Sequence, residues 1–179
     1  MSRRKLANDE LQRKSIAAYK EAGKLPLVIV LDNVRSLNNI GSVFRTADAF
    51  LLESIYLCGF TATPPHKDIH KTALGATESV NWKHFSSTQA AIAELRADGF
   101  KIVCLEQTQG SIPLFSFSPA KDTSYAMVFG NEVRGVSQEI IDVSDICIEI
   151  PQFGTKHSFN IAVSAGIVLW DFFIKVQCP

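Results

Sequence analysis

The chain has 179 residues, 46% of them apolar and 20% charged, the balance of one soluble globular domain rather than a disordered segment. At this length roughly two-thirds of the unfolded surface is buried on folding, so the core requires no disulfide or metal staple. Eighteen Lys and Arg balance eighteen Asp and Glu, which excludes binding of polyanions by bulk charge alone but leaves room for a local basic patch.

The charge is uneven along the chain. Residues 1–24 carry seven cations and three anions, a net of +4, and the remaining 155 residues carry −4. We therefore divide the chain into a basic helical extension, 1–24, and one domain, 25–179. Such an arm suits an anionic partner, although a solvated helical face is the plainer reading. Residues 8–22 read as a polar helix stopped by Gly23 and Pro26. Leu27–Leu31 is a continuous apolar run, as expected of a buried parallel strand. A helix follows over Ile40–Phe50, with Asn38 and Asn39 as candidate caps, and a strand over Ser54–Cys58. Thr61–Asp68 reads as loop. Ser87–Ala97 reads as helix, Lys101–Leu105 and Tyr125–Phe129 as strands, Ser137–Val143 as a short helix and Ile146–Ile150 as a strand. Ser158–Val176 is a long apolar helix with Ser158 as candidate cap. Alternating strands and helices predict an α/β fold with a mostly parallel sheet flanked by helices.

Cys58, Cys104, Cys147 and Cys178 form no CxxC pair, and the first three sit in apolar strand-like runs, which predicts free thiols, no zinc site and no metal. No apolar stretch follows the N-terminal charges as in a secretory leader. Ile161–Trp170, interrupted by Ser164 and Gly166, is too short to span a bilayer. These features point to a cytoplasmic protein without a membrane partner.

Ligands of parallel sheets sit beyond the C-terminal strand ends, here in the loops Asp32–Ile40, Gly130–Val136 and Pro151–His157. None carries a dinucleotide fingerprint, a P-loop or a nucleophile elbow. Each instead gathers Asn, Gly, Arg, Glu and Ser: NIGSVFRTA (Asn39 to Ala47), GNEVRG (Gly130 to Gly135) and IPQFGTKHSFN (Ile150 to Asn160). Taken singly, they are a capped helix with a surface arginine, a glycine-bracketed turn holding an acid, and a helix start.

Taken in order, the three segments resemble the motifs of the SpoU (TrmH-like) RNA 2′-O-ribose methyltransferases of the SPOUT class, and HKTALGATESV (His70 to Val80) is also similar to that family. The resemblance spans about Leu27 to Phe173. It implies a C-terminal deep trefoil knot, a homodimer, S-adenosylmethionine as cofactor and RNA as substrate, tRNA favoured over rRNA. It implies that Gly130, Ile150 and Phe159 line the cofactor site. It places Asn39, Arg45, Glu132, Ser158 and Asn160 in the catalytic set, with Arg45 either activating the hydroxyl or clamping a phosphate. Glu132 would anchor the Asn39–Arg45 segment. Phosphate contacts are expected from Arg3, Arg4 and Lys5 of the arm and from Arg35, Lys67, Lys71 and Lys156. Two departures stand out: Leu51 replaces the family's usual Gly, and Phe159 replaces Leu. The alternative class is a catalytically inactive RNA-binding protein on the same fold, against which the intact Arg45, Glu132, Ser158 and Asn160 count.

Overall fold

A computed structural model describes residues 3–177, so Cys178 lies outside the described residues. Seven strands form one sheet: β1 (Leu25–Asp32), β2 (Leu52–Cys58), β3 (Trp82–Phe85), β4 (Lys101–Leu105), β5 (Ile112–Pro113), β6 (Tyr125–Phe129) and β7 (Ile146–Glu149). Their order is β3-β2-β1-β6-β4-β7-β5, with every pairing parallel. The helices are α1 (Ile16–Glu21), α2 (Leu37–Ala49), α3 (Lys67–Ala73), α4 (Ala76–Ser79), α5 (Thr88–Ala97), α6 (Gln138–Val143) and α7 (Ile161–Gln177).

Side chains alternate across the sheet, as the period of two requires. On β1, Leu27, Ile29 and Leu31 enter the larger core with Phe44 of α2 and Val168 and Phe172 of α7, whereas Val28 and Val30 face Ile92 and Leu95 of α5 and Ile140 of α6. Both faces are covered, which is why β1 and β6 read as unbroken apolar runs. Full burial of each such Leu, Ile or Phe contributes roughly 1.5–3 kcal/mol. Pro26 has no N–H for a ladder, and it sits where the β1–β2 register shifts, between Leu25 and Val28.

Several expectations need correction. The helix expected over 8–22 is a 3₁₀ turn at Asn8–Leu11 and a separate α1, divided where Gln12 adopts a left-handed φ of 48°. Ser36, not Asn38 or Asn39, caps α2: its Oγ accepts from the Asn39 N–H at 3.3 Å. The long helix begins at Ile161 and is capped by Asn160, whose Oδ1 accepts from Ala162 and Val163 N–H at 2.9 and 3.4 Å, so Ser158 lies before it. The loop expected over Thr61–Asp68 ends at His66, and its last two residues, Lys67 and Asp68, open α3. Leu51 holds a φ of 53°, the left-handed region that favours glycine. Its side chain packs on the main core, which offsets the strain.

Gly41 explains how α2 and α3 fit together. A Cβ there would collide with Thr72 Oγ1 and the Ile69 carbonyl oxygen. Overpacking of this kind costs about 1–3 kcal/mol, more than the ~1 kcal/mol that Ala gains over Gly inside a helix. Gly41→Ala is therefore expected to lower the denaturation midpoint. A midpoint at or above that of the unaltered protein would sink this account of the α2–α3 contact.

Candidate active site

The site is built where β1, β6, β4 and β7 end. The β1–α2 loop is held from below by Asp32, a buried carboxylate that accepts from Thr88 Oγ1 at 2.6 Å and Asn33 Nδ2 at 2.8 Å. Asn33 passes the constraint on, because its carbonyl accepts from Asn131 Nδ2 at 2.7 Å. Asn131 also closes the turn that follows β6. Its backbone exchanges two hydrogen bonds with Gly135, at 3.0 and 2.8 Å, and its Oδ1 accepts from Val133 and Arg134 N–H. The turn is so tight that a Cβ on Gly130 would strike the backbone of Gly135 and Val136.

Glu132 projects from this turn to the N-terminus of α2. Its carboxylate accepts from the Arg35 and Ser36 N–H groups, both at 3.0 Å, and from Asn39 Nδ2 at 3.2 Å. Burial pushes the carboxyl up, but the N–H groups of Arg35 and Ser36 and the Asn39 amide together hold it below the ordinary carboxylate range. Asn39 Oδ1 in turn accepts from Asn160 Nδ2 at 3.1 Å. A polar relay, Glu132 to Asn39 to Asn160, thus joins the three motif segments and ends in the cap of α7. The expected anchoring of the Asn39–Arg45 segment by Glu132 is present as geometry.

Beside the relay lies a cavity of about 540 Å³, lined by Gly130, Glu132, Ile150, Ser158, Phe159 and Asn160 among others. Asn39 and Arg45 lie outside its wall. Arg45 is exposed on α2, and its side chain forms no hydrogen bond or ion pair among the described residues. Glu106 and Gln107 line the cavity from outside the three loops singled out in the sequence, and Gln152 and His157 line it from within the third of those loops, where neither was given a role. Gln107 and Gln152 donate to the His157 carbonyl, at 2.9 and 3.5 Å, and so fasten the segment before Ser158. The signal available for Glu106 and Gln107 was their place directly after a parallel strand.

The cationic residues divide into two groups. Arg35, Lys67, Lys71 and Lys156 are exposed. Lys71 sits next to Thr72, whose hydroxyl donates to the Asn38 carbonyl at 3.0 Å, so it stands by the start of α2. Arg3, Arg4 and Lys5 are also exposed, and Arg4 makes a bidentate pair with Glu10 at 2.7 and 2.9 Å. Their arm is anchored elsewhere: buried Tyr19 of α1 donates to the carbonyl of Leu52, at the start of β2. Within one chain, α1 and the cavity thus stand at opposite ends of the sheet. Among the described residues no group of three or more His, Cys, Asp or Glu is arranged to hold a metal ion, and no helix is long and apolar enough to cross a membrane.

The sequence and the fold have relatives among known proteins. The chain is 28% identical over 163 residues to the tRNA (guanosine(18)-2′-O)-methyltransferase of Aquifex aeolicus, covering 90% of this chain and 75% of that protein. It is 25% identical over 151 residues to the enzyme of the same name from Borreliella burgdorferi, covering 84% and 67%. Its fold superposes on an AdoMet-bound rRNA methyltransferase from Sinorhizobium meliloti with a TM-score of 0.77 and 28% identity, over 90% of this chain and 60% of that one. The chain thus spans between 60% and 75% of the length of these relatives. Residues 26–170 match the SpoU rRNA Methylase family, and with the fold and the joined motif loops this makes the chain a member of that family.

Proposed function

We propose that the protein transfers a methyl group from S-adenosylmethionine to a ribose 2′-hydroxyl of structured RNA, with tRNA the favoured substrate. The observation that carries this reading is the relay from Glu132 through Asn39 to Asn160, which fixes three loops around one cavity. The cavity suits the cofactor. It has the size of a small-molecule site, its turn at Gly130 is backbone with no room for a side chain, and the acidic residues Glu106 and Glu149 line it, which favours a ligand bearing positive charge. Bound S-adenosylmethionine supplies a methyl group already activated by its positive sulfonium.

The protein's own contribution is orientation, which is able to supply several kcal/mol of a barrier. The Arg45 guanidinium is a planar donor with no acceptor atom, so it is assigned as a fork that grips an RNA phosphate and turns the ribose hydroxyl toward the cavity; the hydroxyl proton leaves to water. Ser158, Phe159 and Asn160 wall the space between. The enzyme works in the cytoplasm as a homodimer, a role for which the exposed apolar residues Val163, Trp170 and Ile174 of α7 are suited, and its C-terminal segment follows the family's knotted path. Residues 1–24 serve as the RNA-facing extension of the 25–179 methyltransferase domain, with Tyr19 as their anchor.

The test is transfer of labelled methyl from S-adenosylmethionine into tRNA and rRNA fractions that lack the modification. Label expected in tRNA should be recovered in alkali-resistant dinucleotides; label in a base, or RNA binding with no transfer, would overturn the assignment. Deleting residues 1–14, which leaves α1 and its Ser15 cap in place, is expected to weaken RNA binding at least tenfold at low salt and to flatten its salt dependence, with cofactor affinity unchanged. Unaltered RNA affinity in a filter-binding titration would return the arm to a solvated face.

A further inference from the structure

Glu106 follows β4, and β4 lies between β6 and β7 in the sheet. The residue is therefore flanked by the Gly130–Gly135 turn on one side and the Ile150–Asn160 segment on the other, and it lines the cavity. Its carboxylate is fixed in place. Oε1 accepts from the Gln107 N–H and Oε2 from the Val136 N–H, both at 2.9 Å. Gly135 lies so close that a Cβ there would strike Oε2. An ionised carboxylate offers about four acceptor sites, and these two N–H groups occupy half of them. None of the ion pairs among the described residues involves Glu106. Glu132 differs, because its oxygens are taken by Arg35, Ser36 and Asn39. Glu106 is thus an oriented acceptor, with lone pairs still unmatched, at the edge of a cavity otherwise walled by Phe129, Gly130, Ile150 and Phe159.

We infer that Glu106 is a binding residue for the 2′,3′-diol of the cofactor's own ribose. The inference rests on the cavity being the S-adenosylmethionine site. The reacting end is marked by the relay at the β1 and β6 side. Glu106 stands one strand farther along, about 4.8 Å, which suits the group bonded next to the sulfonium rather than the adenine beyond it. Two adjacent hydroxyls present two donors to one carboxylate, and an acceptor-only side chain on a locked backbone selects for them.

The experiment uses calorimetric titration of the full chain, unaltered and as Glu106→Gln, with three probes: S-adenosylhomocysteine, 5′-methylthioadenosine, and the 2′,3′-dideoxy counterpart of 5′-methylthioadenosine. Unaltered protein is expected to bind methylthioadenosine at least tenfold more tightly than its dideoxy counterpart. Glu106→Gln is expected to lose on the order of 10–100-fold for both diol ligands, as for a hydrogen bond to a charged group, and nothing for the dideoxy ligand. An equal loss on all three probes would mean that Glu106 acts only through the Gln107 and Val136 backbone, and overturns the inference. A loss for S-adenosylhomocysteine alone assigns the carboxylate to the ammonium group and overturns it too. The diol preference of the unaltered protein needs no variant, so its absence is decisive even if Glu106→Gln fails to fold. Failure of the unaltered protein to bind any probe overturns the cofactor reading itself, and the inference with it, in a form distinct from the other outcomes.

Discussion

Arg45→Ala is expected to reduce methyl transfer by on the order of 10²–10³-fold, the range seen when one preorganised polar group is removed from a reacting centre. Cofactor affinity should stay within twofold, because Arg45 lies outside the cavity wall. Stability should change by less than about 0.5 kcal/mol, since the side chain is exposed on α2. Arg45→Lys is expected to recover little, because an ammonium does not reproduce the planar fork that grips a phosphate. Single-turnover transfer into tRNA and calorimetric binding of the cofactor, read side by side, separate these effects. Equal losses in both would remove Arg45 from substrate orientation and return it to the structure of α2.

Glu132→Ala is expected to damage activity and stability together. Arg35, Ser36 and Asn39 lose their shared acceptor, so the start of α2 is free to shift against the cavity. A displacement of about 1 Å at a reacting centre costs on the order of 10²-fold. The stability loss is about 1–2 kcal/mol, limited because the carboxylate is on the rim and water replaces part of what is removed. The carboxyl titrates below its ordinary value of 4.5, so the folded state favours the charged form. Its contribution is complete above that ordinary value and is lost as pH falls through the lower, folded one. Thermal melts should therefore show a gap between the two proteins at pH 7 that narrows toward pH 3. A gap of constant size would show that the carboxylate charge is not what ties the loops.

How much of this was legible follows from where each signal resides. β1 and β6 were readable because central parallel strands are apolar on both faces. β3 was not, because an edge strand whose Lys83 and His84 face solvent has no such run. α3 and α4 bury few residues, with Ile69 and Ala73 the buried positions of α3, too few for a helical period to register. The caps were misassigned for a different reason. Ser36, Asn38 and Asn39 all have capping chemistry, and a contact from Glu132, far along the chain, decides which of them is left for another role. Of the site, Gly130, Ile150 and Phe159 were legible as motif positions. Glu106 was not, because its part is set by Val136 and Gly135, thirty residues away or nearly so.

The relay also bears on when the molecule becomes competent. Asn39 meets Glu132 across 93 positions and Asn160 across 121, so two of the longest loop closures in the chain converge on a handful of side chains. Contacts between distant positions form slowly, because chain entropy is surrendered before they give anything back. The cap at Asn160, and with it the last joint of the relay, closes only when α7 is docked on the core face of β1. Partly folded copies would then hold RNA-attracting charge without a working centre, and the appearance of turnover during refolding would be a clock for the docking of the final helix.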